Sequence, residues 1–245
     1  MKYRSLALFT FLLPTIAFAQ LDKLSGNVSG MVNLPIVADV APDLDGETHR
    51  AQFGWPEAEA NLYYSLLESG MSSGSMLELY AGGTYRNMFG IEELADGRDF
   101  EGDMTMQQVR VGARILNLLT LAYVRNGIRA TGTSEGLFST FEYGGSTVWQ
   151  NGYQIGIEAS RDVNTVGLYF QSSLAGPEDI NEPEVQWSIL EARVRSELLK
   201  GDNASGFVQL NFGYDVIGYD SRESSDNVPI EYEGFRIGLG IGVSF

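Results

Sequence analysis

The sequence predicts an all-β protein, a closed antiparallel up-and-down transmembrane β-barrel of about ten strands, with eight and twelve as neighbouring counts. Three observations support this fold class. Apolar and polar residues alternate with period two through most of the chain. The links between the alternating segments are short and long in turn. Beyond the amino-terminal region, no apolar run is long enough for a transmembrane helix.

The amino terminus has the pattern of an export signal. Lys2 and Arg4 precede an apolar stretch from Leu6 to Phe18, and Ala17-Phe18-Ala19 supplies the small-x-small motif of a cleavage site. The alternative is a membrane anchor, but about 13 apolar residues are too few for a helix that crosses a bilayer. We therefore predict a signal peptide over residues 1–19, cleaved after Ala19, and a single barrel domain over residues 20–245.

Alternation is clearest at the carboxyl terminus, where one face of the last segment is apolar and the other carries Arg236 and three glycines. Side chains on a strand point alternately to opposite faces, so this segment fits a strand with one face toward lipid. The same criterion predicts ten strands: Leu24–Leu34, Ala58–Leu67, Leu77–Arg86, Gln108–Ile115, Leu118–Arg129, Trp149–Glu158, Val163–Ser173, Val185–Leu199, Val208–Val216 and Phe235–Phe245.

The predicted links fall into two groups. Those after even-numbered strands are short: Glu68–Ser75, Asn117, Arg161–Asp162 and Lys200–Ser205. Those after odd-numbered strands are longer: Pro35–Glu57, Asn87–Met106, Ala130–Thr147, Leu174–Glu184 and Tyr219–Ile230. This sorting is typical of membrane barrels, which have short turns on one side and long loops on the other. An even strand count places both termini on the short-turn side.

The terminal strand carries a further resemblance. Its apolar face is Phe235, Ile237, Leu239, Ile241, Val243 and Phe245, so that it ends on an aromatic residue. With the export signal and the link pattern, this resembles the bacterial outer-membrane β-barrel class, although no single family's motif is present. The resemblance implies the outer membrane of a Gram-negative bacterium. It also implies that the barrel-assembly machinery recognises this strand, and that the barrel is surrounded by outer-membrane lipid and lipopolysaccharide.

If the apolar faces meet lipid, the opposite faces place a charge network in the lumen. Its members are Glu78, Arg86, Arg110, Arg114, Glu158, Glu191, Arg193, Arg195, Glu197, Asp215 and Arg236. Two interpretations stay open: the charges pack the lumen as ion pairs, or they line a narrow polar pore. Strand directions predict two pairs at matching depth, Glu78 with Arg114 and Asp215 with Arg236.

Aromatic residues near strand ends are predicted to form belts at the two membrane interfaces. The candidates are Tyr64, Tyr85, Trp149, Tyr153, Phe170, Tyr214, Phe235 and Phe245. The long links are rich in acids and have few bases, namely Arg50, Arg98 and Arg222. Two interpretations stay open: these acidic links form a rim that repels anions and attracts cations, or they are a solvated surface with no further role. Divalent cations shared with lipopolysaccharide phosphates are a further possibility there.

Composition removes several function classes. Lys+Arg 16 against Asp+Glu 32 gives a net charge of −16, the wrong sign for binding nucleic acid through a basic face. The chain has no cysteine and one histidine, so Cys-ligated and His-rich metal sites are excluded, and no cofactor is expected. Asp43, Asp45 and Glu47 resemble the start of a calcium loop but lack its closing glutamate. Asp96, Asp99 and Asp103 form a similar incomplete cluster.

Two functional hypotheses follow. The leading one is a non-catalytic integral outer-membrane barrel, acting as a narrow passive channel or as a structural surface protein with acidic external loops. The alternative is an outer-membrane hydrolase or acyltransferase in which His49 acts as the base.

Overall fold

The computed structural model describes residues 23–42, 49–52, 55–68, 75–94, 97–135, 140–161, 163–174, 183–201, 203–220 and 230–245. Within them the strands are β1 (Leu24–Pro42), β2 (His49–Gln52), β3 (Trp55–Glu68), β4 (Ser75–Glu93), β5 (Asp99–Ile115), β6 (Leu119–Glu135), β7 (Thr140–Gly144), β8 (Val148–Arg161), β9 (Asn164–Ser173), β10 (Glu184–Lys200), β11 (Ser205–Asp220) and β12 (Ile230–Ser244). No helix in this part of the chain is both long and apolar enough to cross a membrane.

Ten of these strands close into a ring, because every strand of the ring is paired antiparallel with both of its neighbours. The order is β1, β3, β4, β5, β6, β8, β9, β10, β11 and β12, and the ring closes where β12 pairs with β1. The predicted closed antiparallel barrel of ten strands is therefore confirmed. The short strands β2 and β7 were not predicted. They pair with the carboxyl-terminal ends of β4 and β6.

The two ends of the barrel differ. The end of the barrel that carries the links 69–74, 116–118, 162–163 and 201–204 is called the turn end. The opposite end is called the loop end. The short links predicted from sequence are confirmed at the turn end. In the link between β5 and β6, Leu116 and Asn117 have φ angles of 55° and 53°. Two successive residues with positive φ match the twist of a hairpin, which explains how so short a turn joins two long strands.

Several long links predicted at the loop end are wrong. β4 and β5 pair without interruption from Leu77 opposite Ile115 to Glu93 opposite Asp99, so most of the predicted link Asn87–Met106 is strand. Likewise, β1 continues to Pro42 and β6 to Glu135, and β3 already begins at Trp55.

The cause of this error is an inversion of the polarity pattern along single strands. Near the turn end of β5, Val109 and Val111 point outward and are more than half exposed, while Arg110 is buried inside. Near the loop end of the same strand, Glu101 points outward and Phe100 is fully buried inside. Alternation persists, but the apolar face changes sides because lipid surrounds one half and water the other.

Residues 1–22 lie outside the described residues. The predicted signal peptide and its cleavage after Ala19 fall there and stay predictions.

Candidate functional site in the barrel lumen

The inward positions of the turn-end half carry the predicted charges. Every predicted lumen residue lies on an inward-facing position of β4, β5, β8, β10, β11 or β12, and the charges closest to the barrel centre are buried. The structure resolves them into one long ion-pair chain, one smaller cluster and two residues apart from both.

The ion-pair chain begins around Asp215, on β11. Its Oδ2 atom accepts hydrogen bonds from Arg236 Nε at 2.8 Å and from Arg86 Nη1 at 2.9 Å. Arg86 also donates to Glu57 Oε2 at 2.8 Å, and Arg236 donates from Nη2 to Glu191 Oε2 at 2.5 Å. The expected Asp215–Arg236 pair is therefore formed, and each member has a second partner of opposite charge.

The chain continues across the lumen from Glu191 to β5. Arg193 on β10 contacts Glu191 at 2.7 Å and Glu59 at 2.9 Å. Arg110 on β5 contacts Glu59 at 2.7 Å and also donates to Thr84 at 2.9 Å. Acids and arginines thus alternate without a break, in the order Glu57, Arg86, Asp215, Arg236, Glu191, Arg193, Glu59 and Arg110. Equal numbers of each sign make the chain neutral, which a buried network requires.

The smaller cluster lies closer to the turn end. Arg114 contacts Glu78 at 2.6 Å and Glu158 at 3.0 Å, and it stacks over the ring of Tyr63 at 4.4 Å. The Tyr169 hydroxyl donates a hydrogen bond to Glu158. The expected Glu78–Arg114 pair is formed, and Glu158 is a second acid on the same guanidinium.

Arg195 and Glu197, also predicted as lumen charges, do not join these networks through any ion pair within the described part of the chain. Both are half-buried at inward positions of β10. The Arg195 guanidinium instead lies over the ring of Phe207 at 5.1 Å.

Two members of the ion-pair chain were not predicted as lumen charges. Glu57 was assigned to a link, and Glu59 was given no role. Both lie on β3 and are nearly fully buried. The sequence of this segment does have the period-two pattern of a strand, since its acids alternate with Pro56 and alanines. Alanine is too small to mark a lipid-facing position on its own, so the alternation was missed.

Above the ion-pair chain, toward the loop end, the lumen is filled by apolar and aromatic side chains that we call the apolar plug. Its fully buried members are Trp55, Met88, Phe100, Met104, Met106, Ile128, Trp187, Ile217, Tyr219, Ile230 and Tyr232. Trp55 and Tyr232, from opposite sides of β1, meet edge to face with ring centroids 5.2 Å apart. These buried side chains form one apolar cluster that occupies the loop-end half of the lumen.

Between the ion-pair chain and the smaller cluster, the lumen retains a small polar cavity of about 20 Å³. Its lining includes Glu59, Tyr80, Arg110, Tyr169 and Arg193. About 10–15 Å³ is needed to hold one water molecule, so this cavity accommodates a single water rather than a solute.

The other sequence candidates lie outside this site. The chain's histidine, His49, begins β2 and is in register with Glu93 on β4, at the loop end. Asp43, Asp45, Glu47 and Asp96 lie outside the described residues; Asp99 and Asp103 are outward positions of β5. Among the residues that the structure describes, no group of three or more His, Asp or Glu side chains could hold a metal ion.

The outer surface of the turn-end half is an apolar band. The terminal strand places Phe235, Leu239, Ile241, Val243 and Phe245 outward with half or more of each side chain exposed. Ile237 lies on the same face. Phe245 also closes the ring at the turn end, where its backbone exchanges hydrogen bonds with Gly26.

Both predicted aromatic belts lie on this outer surface. Tyr85, Trp149, Tyr153, Phe170, Tyr214 and Phe235 lie on the loop side of the band, and Tyr64 and Phe245 lie on its turn side. Tyr214 and Phe235 are in contact, with ring centroids 4.6 Å apart. The face assignment made from sequence is therefore correct.

A closed barrel with an apolar outer band between two aromatic belts defines a transmembrane β-barrel, the class found in the outer membrane of Gram-negative bacteria. Solved structures with this architecture resemble the chain at low sequence identity. The transport unit of the autotransporter AIDA-I from Escherichia coli is 11% identical, with a TM-score of 0.44 over 91% of this chain and 90% of that one. The outer membrane protease OmpT from Escherichia coli is 9% identical, with a TM-score of 0.40 over 91% and 94%.

The attachment invasion locus protein Ail of Yersinia pestis is 9% identical, with a TM-score of 0.34 over 90% of this chain and 98% of that one. No protein-family model matches the sequence, and no curated protein matches it either.

Proposed function

We propose that this protein is a non-catalytic outer-membrane barrel with a closed lumen, which holds a rigid acidic sheet extension beyond the membrane. The observation that supports this most directly is the apolar plug. Trp55, Trp187 and Tyr232 belong to one buried cluster inside the barrel, with 0–1% of each residue exposed. A passive channel needs a continuous hydrated path, and the plug interrupts it.

The ion-pair chain supports the same conclusion from the other half of the lumen. Each carboxylate of the chain is within 3.0 Å of an arginine, so its charges satisfy one another rather than a passing ion. Such a network with a cavity of about 20 Å³ fits the packing interpretation of the lumen charges better than a pore.

We further propose that the turn end faces the periplasm and the loop end faces the exterior. Short turns on the periplasmic side and longer structure outside are the usual arrangement of such barrels. At the loop end the outward positions include Glu101, Asp103, Glu142, Glu231 and Glu233. An acidic platform of this kind repels anions and stays solvated.

Planar bilayer recordings of the purified full chain test the closed lumen. We expect no discrete conductance steps under conditions in which a porin reconstituted in parallel conducts. Stepwise currents that scale with the amount of inserted protein would contradict a closed lumen and favour a channel.

For the catalytic alternative, His49→Ala is the decisive variant. If the proposal is correct, the native protein and this variant show the same background turnover of lipid, ester and peptide substrates. Turnover by the native protein that His49→Ala abolishes would instead establish an enzyme.

A further inference from the structure

Two arginines on the lipid-facing side of β6 depart from the acidic character of the chain. Arg125 and Arg129 point outward and are exposed, and both lie on the loop side of the apolar band. A charged side chain on the lipid face of a barrel is unfavourable unless it reaches the interface or an anion. Their presence on one strand face therefore calls for a physical explanation.

Trp149 lies between these two arginines. Gly127 is the outward position midway between them, and its register partner on β8 is Trp149. A Cβ atom at Gly127 would lie 2.7 Å from the indole ring, so the ring lies flat over this glycine. The Arg125 guanidinium stacks on the same ring, with its Cζ atom 5.6 Å from the centroid. Arg125 and Trp149 therefore form one contiguous surface, and Arg129 lies two residues beyond Gly127 on the same face of β6.

The position of this surface matches the headgroup region of a membrane. The cross-strand neighbours of Arg125 are Val109, in the apolar band, and Asn151, which is polar. Arg125 thus starts at the edge of the apolar band, and its long side chain reaches toward the level of Trp149, an aromatic belt residue. Arginines in this position extend their charged group to the interface, where lipid phosphates lie.

The chain supplies no acid as a cross-strand neighbour here. The positions paired with Arg125, Gly127 and Arg129 on β5 and β8 are Val109, Gln107, Thr105, Asn151 and Trp149, all uncharged. Arg129 Nε donates to the Gly145 carbonyl at 3.2 Å, which leaves its terminal nitrogens as further donors. In the described part of the structure neither guanidinium is in an ion pair with a carboxylate.

Acidic residues surround the loop-end side of this arginine pair. Arg129 itself lines a groove of about 760 Å³ that extends toward the loop end, and the other lining residues include Glu101, Asp103 and Glu142. Its acids disfavour an anion there. An anion is therefore favoured at the level of Trp149, between the two guanidinium groups.

We infer that Arg125 and Arg129, with Trp149 between them, bind the phosphate group of a lipid headgroup in the outer leaflet. Arginine suits this ligand because its planar fork donates two parallel hydrogen bonds to phosphate oxygens. The indole ring holds one guanidinium in place and contacts the sugar or acyl region of the lipid. The inference rests on the proposed orientation, in which the loop end lies outside, but not on the closed lumen.

The test is a titration of the detergent-solubilised full chain with lipid A, with bound lipid counted by native mass spectrometry. The variant Arg125→Gln/Arg129→Gln is compared with Lys23→Gln/Lys200→Gln, which removes the same charge at the turn end. We expect about tenfold weaker binding of lipid A to the arginine variant, as the loss of charge-assisted hydrogen bonds predicts. The lysine control should bind like the native chain. Equal affinity of the native chain and the arginine variant would overturn the inference.

Two further arms identify the source of the phosphate. Dephosphorylated lipid A should bind the native chain about as weakly as lipid A binds the arginine variant. Inorganic phosphate at the same concentration should not displace lipid A; complete displacement would show a free-anion site and overturn the assignment to a lipid. A conductance recording of the arginine variant keeps the two proposals separable, because the lumen is untouched and should stay silent whatever the lipid result.

Discussion

Arg236 on β12 donates a hydrogen bond from Nε to Oδ2 of Asp215 on β11 at 2.8 Å, and both side chains have no exposed surface. This contact joins two adjacent strands at the boundary between the ion-pair chain and the apolar plug. Arginine stays charged when buried, so removing either partner leaves an uncompensated charge. The stability of the barrel should therefore depend strongly on this pair.

We expect Arg236→Met to lower the free energy of unfolding by about 3–5 kcal/mol, the usual cost of breaking a buried ion pair. Urea unfolding in lipid vesicles, followed by the loss of the folded band on unheated gels, measures the change. Lys200→Met removes an exposed positive charge at the turn end and should have little effect. Equal stability of the two variants would contradict a structural role of Arg236.

Gly213 on β11 lies directly beneath the Arg236 side chain. A Cβ atom there would fall 2.6 Å from Cζ of Arg236, which is held by Asp215 and Glu191 and cannot move freely. Gly213→Ala should therefore destabilise the barrel by about 1–3 kcal/mol through overpacking.

Gly218, on the same strand, is the matched control, because nothing lies within 4 Å of the Cβ atom that alanine would add there. Gly218→Ala should leave the unfolding midpoint unchanged or slightly raised. A similar shift for both variants would show that strand propensity, and not the contact with Arg236, determines the effect.

If the Asp215–Arg236 pair were the closure of a channel mouth, Arg236→Ala would raise the conductance and shift the selectivity toward cations. The plug on the loop side of this pair now leads to a different expectation. Arg236→Ala should remain silent in planar bilayers, because Trp187 and its neighbours still fill the lumen. An increased current in this variant, carried by cations, would place the constriction at the ion pair after all.

The three tryptophans offer an independent measure of the plug. Trp55 and Trp187 are 0% and 1% exposed inside the barrel, whereas Trp149 is 43% exposed on the outer surface. In single-tryptophan variants, with the other two replaced by Phe, brominated lipid should quench Trp149 most strongly. Strong quenching of Trp187 by aqueous iodide would mean that water reaches the plug.

The absence of cysteine from the native sequence allows the lumen to be labelled without background. Asn211→Cys places a thiol at a fully buried lumen position, and Glu142→Cys places one on the exposed loop end. In intact cells a charged, membrane-impermeant maleimide should label the second variant and not the first. Rapid labelling of Asn211→Cys would require an open lumen.

The sequence was sufficient to predict the architecture because a barrel in a membrane imposes a local rule. Each strand must present one face to lipid, so the positions of Leu239 and Ile241 on one side and Arg236 on the other determine which way the strand faces. Strand count, closure, the turn-end links and the aromatic belts follow from this rule. The pairs Glu78–Arg114 and Asp215–Arg236 could also be predicted, since antiparallel neighbours place residues at matching depth.

The tertiary structure decided what the local pattern cannot express. Phe100 and Met104 alternate with acids just as Arg110 alternates with valines, but only the closed barrel shows that the apolar side chains of β5 face inward in one half and outward in the other. The links of the ion-pair chain between Arg86 and Asp215 and between Arg193 and Glu59 join strands that are not neighbours in the sheet. Such contacts depend on the curvature and shear of the whole ring. The sequence of a single strand contains no information about them.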